Sequence, residues 1–117
     1  MDYSINGKEI TIGSKKIYFN DKIVKVKDLG ESVLLLLKNT STGDVQKQPL
    51  NNILAIDEDG NILWRISDIT KRNEYYQLFS IQHIDGVGRV LITVDCMGIR
   101  YKIRLSDLTL LEKRGFK

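Results

Sequence analysis

The chain has 117 residues, 42% of them hydrophobic and 28% charged, with one proline, one cysteine and a net charge of +3. This length amounts to one domain, residues 1–117, enough to bury a core unaided by disulfides or metals, and the composition excludes extensive disorder. The single thiol, Cys96, excludes an internal disulfide framework and points to a reducing, cytoplasmic setting.

The opening segment MDYSINGKEITIG has no apolar run, so no signal peptide is expected. The longest apolar stretch, Val33 to Leu37, has the size of a strand and not of a membrane span. Charge is uneven. From Arg89 to Lys117 seven basic side chains stand against three acidic ones, and the remainder of the chain is close to neutral. Such an excess can steer an acidic partner but is smaller than the footprint of a dedicated nucleic-acid binder.

Short apolar runs broken by turn residues roughly every ten positions predict an all-β fold. Glu9–Ile12 and Lys16–Phe19 flank Gly13-Ser14 as a tight hairpin. Asn20-Asp21 turns the chain into a strand at Ile23–Lys27, and Gly30 marks the next turn. Ser32–Lys38 (SVLLLLK) is apolar on both faces and predicts a central strand covered on both sides. Asn39 to Asp44 reads as a loop, and Pro49 keeps its neighbours out of a central strand. Ile53–Ile56 and Ile62–Ile66 flank Asp57 to Asn61 as a hairpin, with Trp64 turned to the core. The polar stretch from Ser67 to Tyr76 predicts either one helical turn, capped by Ser67 or Asp68, or a surface loop. Strands resume at Gln77–Ile84, Val90–Val94, Ile99–Leu105 and Thr109–Lys113. The expected fold is a single-domain antiparallel meander of eight to ten short strands, forming a sandwich or a partly open barrel.

Two stretches echo each other. ILAIDEDGNILWRI (Ile53 to Ile66) and LITVDCMGIRYKI (Leu91 to Ile103) each carry an apolar strand ending in Asp, a Gly three residues on, and an alternating strand with an aromatic, a cation and Ile. The first resembles the hairpins of quinoprotein-type β-propeller blades, but a propeller needs at least about four blades of ~40 residues, more than this chain supplies. The repeat is structural grammar: Asp bonds the turn backbone and Gly supplies a positive φ.

Catalytic chemistry finds few residues to work with. His83 is the only histidine, on a predicted strand beside Asp85, while Cys96 lies in a separate turn, so no nucleophile–base pair is expected. One His and one Cys fall short of a structural zinc site. Asp57, Asp59 and Asn61 have the first spacings of a calcium loop, but Ile62 stands where that loop needs Gly and Asp68 where it needs Glu, so a polar hairpin turn is expected. Gly86-Val87-Gly88 lacks the third Gly of a dinucleotide fingerprint and leads into a strand. Neither catalytic residues nor a metal or cofactor site is expected.

That leaves surfaces. Arg100, Lys102 and Arg104 alternate with Tyr101 and Ile103, which predicts a one-sided basic stripe, either paired with carboxylates of neighbouring strands or free to dock an acidic partner. Lys71, Arg72, Tyr75 and Tyr76 form a second candidate patch, in a loop where aromatic and Arg anchors suit a protein interface, with core filling by a Tyr as the other reading.

NILAIDEDGNILWRI (Asn52 to Ile66) together with MGIRYKIRLSDLTLLEK (Met97 to Lys113) resembles a loose group of small bacterial all-β proteins that end in a strand patterned as Gly98, Tyr101 and Ile103 are here. The group includes immunity proteins of polymorphic and contact-dependent growth-inhibition toxin systems. The resemblance implies a cytoplasmic antitoxin that binds one cognate toxin domain with no catalytic residues of its own. Antitoxins of nuclease toxins are commonly acidic and this chain is slightly basic, which implies an acidic surface on the toxin. A nucleic-acid-binding β-barrel using the basic C-terminal quarter is the alternative, and a small enzyme built on His83 and a carboxylate stands third.

Overall fold

The computed structural model describes residues 1–115. Eleven strands run in three antiparallel sheets, each a meander of consecutive strands. The first holds β1 (Tyr3–Asn6), β2 (Glu9–Ile12) and β3 (Lys15–Tyr18). The second holds β4 (Lys22–Asp28), β5 (Ser32–Lys38), β6 (Ile53–Asp57) and β7 (Ile62–Arg65), and the third β8 (Tyr76–Ile84), β9 (Gly88–Asp95), β10 (Arg100–Arg104) and β11 (Thr109–Arg114).

The side-chain period of two explains how the sheets stack. On one face of the middle sheet Val33, Leu35, Leu37, Leu54 and Ile56 pack with Ile10 and Ile12 of β2. On its other face Leu34, Leu36, Ile53 and Ala55 pack with Tyr76, Phe79, Leu91, Tyr101 and Ile103 of the third sheet. The all-β antiparallel expectation therefore holds in a three-layer form of the sandwich. The two-sided run SVLLLLK is an interior strand of the middle layer, buried from Ser32 through Leu37. Trp64 packs against the second core, on the side expected of it.

Two features depart from the sequence-based expectation. β1 carries only two half-buried apolar residues, Tyr3 and Ile5, between exposed polar ones, and it exists because it pairs in register with β2. The helical turn α1 spans Ile66–Thr70 with Arg65 as its N-cap, two residues before Ser67, because the Asp68 carboxylate bonds back to the Arg65 N–H at 3.0 Å. A single 3₁₀ turn at Val45–Lys47 follows the loop and is capped by Asp44, whose carboxylate accepts from the Gln46 N–H at 3.0 Å.

The internal echo is a shared turn. In each hairpin the Asp N–H donates to the carbonyl four residues on, the Gly N–H donates back to the Asp carbonyl, and one carboxylate oxygen accepts from the N–H groups two and four residues on. Gly60 and Gly98 sit at φ +83° and +84°. The repeated unit is the hairpin and not the sheet, since it joins the last two strands of the middle sheet but the central two of the third.

Asn52 fastens the middle sheet to the third. Buried just before β6, it donates to the carbonyls of Leu37 and Tyr76, both at 2.9 Å, and accepts the Tyr76 N–H at 2.8 Å. The end of β5 and the start of β8 are thereby held side by side.

Candidate functional site

The loop expected to present Tyr75 and Tyr76 is instead drawn inward. Tyr76 is 0% exposed, its hydroxyl donating to the Arg72 carbonyl at 2.8 Å and shared with the Thr70 hydroxyl, and burial pushes the phenol above its ordinary range. Tyr75 is buried as well. The physical reason is the Asn52 bridge, which clamps the Tyr76 backbone against the middle sheet. As an exposed aromatic patch this expectation is corrected. Lys71 remains on the surface, in the left-handed conformation that ends α1, and its Nζ donates to the Asp68 carbonyl at 2.6 Å. Arg72 is half-buried, 3.5 Å from Glu74 and 3.8 Å from Asp95.

Asp95 is fully buried. It accepts from the Tyr101 hydroxyl at 2.9 Å and from the N–H groups of Met97 and Ile99 at 2.9 and 3.0 Å. Every one of these bonds is local to the hairpin or its neighbouring strand, which makes Asp95 the keystone of its turn.

Arg100, Lys102 and Arg104 do lie on the face of β10 opposite the buried Tyr101 and Ile103. Two of the three are paired. Lys102 meets Glu112 at 3.3 Å, and Arg104 grips Asp107 with two bonds of 3.0 and 2.8 Å, holding that carboxyl well below the usual range. Arg114 meets Glu112 at 3.1 Å and Arg89 meets Glu31 at 2.9 Å. Four cations of the basic C-terminal quarter are thus ion-paired, while Arg100 and Lys113 have no carboxylate within ion-pair distance among the described residues.

His83 and Cys96 are not brought together. β8 and β9 pair with Tyr76 opposite Asp95 at one end and His83 opposite Arg89 at the other, so roughly 20 Å of strand separates them. Burial and the neighbouring Glu74 push the Cys96 thiol up, leaving it protonated and a weak nucleophile at neutral pH. The Asp57–Asn61 segment is the polar turn described above, and among the described residues no group of three or more His, Cys, Asp or Glu side chains is arranged to hold a metal ion. Among them, too, no helix is long and apolar enough to cross a membrane.

The site that residue spacing did not reveal lies where the three sheets meet, at the start of β4 and the end of β5. A bulge at Val24 shifts the register of β4, so that Lys22, Lys25 and Lys27 stand opposite Lys38, Leu36 and Leu34. Partners of one parity share one face, and three lysines that a regular strand would divide between two faces therefore line the side toward the third sheet. Lys22 and Lys38 are directly cross-strand, a pairing of like charges that costs stability. The β1–β2 turn adds Lys8, held beside them because the Gly7 carbonyl accepts the Ile23 N–H and the Lys8 carbonyl the Phe19 N–H.

Two hollows open here and share Lys38. One, of about 130 Å³, is bordered by Lys8, Lys22 and Lys38, with Asp21 as its one carboxylate. The other, of about 410 Å³, is largely apolar, lined by Val45, Tyr75, Leu78 and Cys96. Lys38 lies over the Tyr75 ring, 5.7 Å from its centroid, which seals the aromatic face under a cation. Val45 is 52% and Leu78 48% exposed on the rim. Among the described residues no carboxylate lies within ion-pair distance of Lys8, Lys22 or Lys38.

A family model described as "Domain of unknown function (DUF7957)" matches residues 1–113. No curated protein and no solved structure matches the chain.

Proposed function

The chain belongs to the DUF7957 family, a domain of unknown function, and we propose that it is a non-catalytic cytoplasmic binding protein, an immunity protein that seats on a cognate bacterial toxin domain and neutralises it. The observation that carries this reading is the groove between the sheets, with an apolar half and a cationic half where three lysines share the single carboxylate of Asp21. A sheet scaffold with a charged and partly apolar recess is suited to docking another protein, because the backbone that shapes the recess is already ordered before binding. The alternative of nucleic-acid binding through the C-terminal face finds less support, because two of the three cations of its stripe are ion-paired and its aromatic, Tyr101, points into the core.

The reading is tested by purifying the tagged chain from its host and identifying what accompanies it. The gene of the captured protein is then expressed with and without this chain. Growth arrest by the partner alone, relieved by co-expression, is the expected outcome. A partner harmless by itself, or an eluate of nucleic acid that disappears as salt rises, overturns it.

A further inference from the structure

We infer that the paired hollows at the β4–β5 end are a docking groove for an acidic segment of the partner protein, with carboxylates meeting Lys8, Lys22 and Lys38 and one apolar side chain seated among Val45, Tyr75 and Leu78. This rests on the reading of the chain as a protein-binding domain.

Charge is the first argument. Along β10 and β11 Lys102, Arg104 and Arg114 meet Glu112 and Asp107, but here the chain sets Lys22 against Lys38 across the strands and adds Lys8 to the same hollow. Asp21 offsets one of the three charges, and two remain. Glu74, which accepts from the Cys96 thiol at the apolar end, lies 3.5 Å from Arg72 and is paired there. A like-charge cross-strand pair costs the isolated fold stability, and a bound carboxylate turns that repulsion into two attractions.

The apolar half restricts what the ligand is. Half-exposed Val45 and Leu78 on either side of a recess form a pocket for a buried anchor, the arrangement on which protein interfaces concentrate their energy. A nucleic acid would need an open aromatic face on which to stack a base, and the Tyr75 ring is buried and covered by Lys38. The chemistry that fits both halves is a run of Asp and Glu beside one Leu- or Phe-like residue.

The test uses the full chain and three fluorescein-labelled probes: a short Asp/Glu peptide with one central Leu, the same peptide with Ser for Leu, and oligothymidine. The Leu peptide is expected to bind, to perturb the amide resonances of Lys22, Lys38, Tyr75 and Leu78, and to weaken about tenfold between about 50 and about 200 mM salt. Binding is expected to fall about tenfold with Lys22→Glu, which keeps the fold because it creates an attractive pair with Lys38, and about fivefold with Leu78→Ser. Equal binding of the Ser peptide, shifts at other residues, or tighter oligothymidine binding at these lysines overturns the inference. The growth assay separates the two proposals. A folded Lys22→Glu chain that still protects against its toxin refutes the groove and leaves the immunity reading standing. A wild-type chain that binds the peptide through these residues but has no toxic partner does the reverse.

Discussion

A single amide, Asn52, satisfies three main-chain groups that belong to two different sheets. Removing it leaves a buried N–H and two buried carbonyls short of partners, so Asn52→Ala is expected to cost about 2–4 kcal/mol in urea unfolding, far more than its lost contact area implies. The phenols set the alkaline limit. Burial raises Tyr101, with the buried Asp95 carboxylate beside it, and raises Tyr76 as well. The folded chain therefore holds these protons more tightly than the unfolded one. Stability is full below about pH 10 and declines as pH climbs through and beyond it. The acid limit has the opposite sign. Asp107 is held low by Arg104, Asp57 by the backbone of its turn and Asp28 by the Gly30 N–H, so their contribution is present above about pH 4 and is lost as pH falls. Urea midpoints measured across pH check both limbs, and Tyr101→Phe is expected to soften the alkaline one while costing about 1 kcal/mol at neutrality.

At the scale of elements, the recurring hairpin and the strand edges matter most. The two turns share their hydrogen bonds, and in the first of them the glycine is closely approached by β3. A Cβ at Gly60 would lie 3.2 Å from Ile17 Cδ1 of β3, on top of the strain of a positive φ. Gly60→Ala is expected to destabilise the chain by about 1–2 kcal/mol, read from the thermal or urea midpoint. The edge of β8 is shielded by β4, whose Lys25 caps the Phe79 carbonyl and lies 4.7 Å over the Phe79 ring. An inward-reaching lysine is a common guard against edge-to-edge pairing. Lys25→Ala is expected to raise self-association, measured by light scattering at increasing concentration, with little change in the monomer's circular dichroism.

Across the whole molecule, the distribution of charge differs from its distribution along the chain. Counting residues places the basic excess after Arg89, but in three dimensions Arg89, Lys102, Arg104 and Arg114 of that quarter are ion-paired, whereas Lys8, Lys22 and Lys38 of the first third gather around one hollow with no ion pair among the described residues. The stripe of Arg100, Lys102 and Arg104 was legible because alternation on one strand is a local property. Of the four residues expected in the loop patch, Tyr75 reaches the groove, though as its buried wall, and Tyr76 belongs to the core.

By itself the sequence determined the all-β class, ten of the eleven strands, the covered middle strand Ser32–Lys38 and the recurrence of the Asp–Gly hairpin, because period-two alternation and turn chemistry act over a few residues. Only the tertiary structure decided that the meander divides into three stacked sheets, that Asn52 pulls Tyr76 inward, and that a bulge at Val24 sets Lys22 opposite Lys38. Each of these depends on register and contact between residues far apart in the chain, which no local pattern encodes.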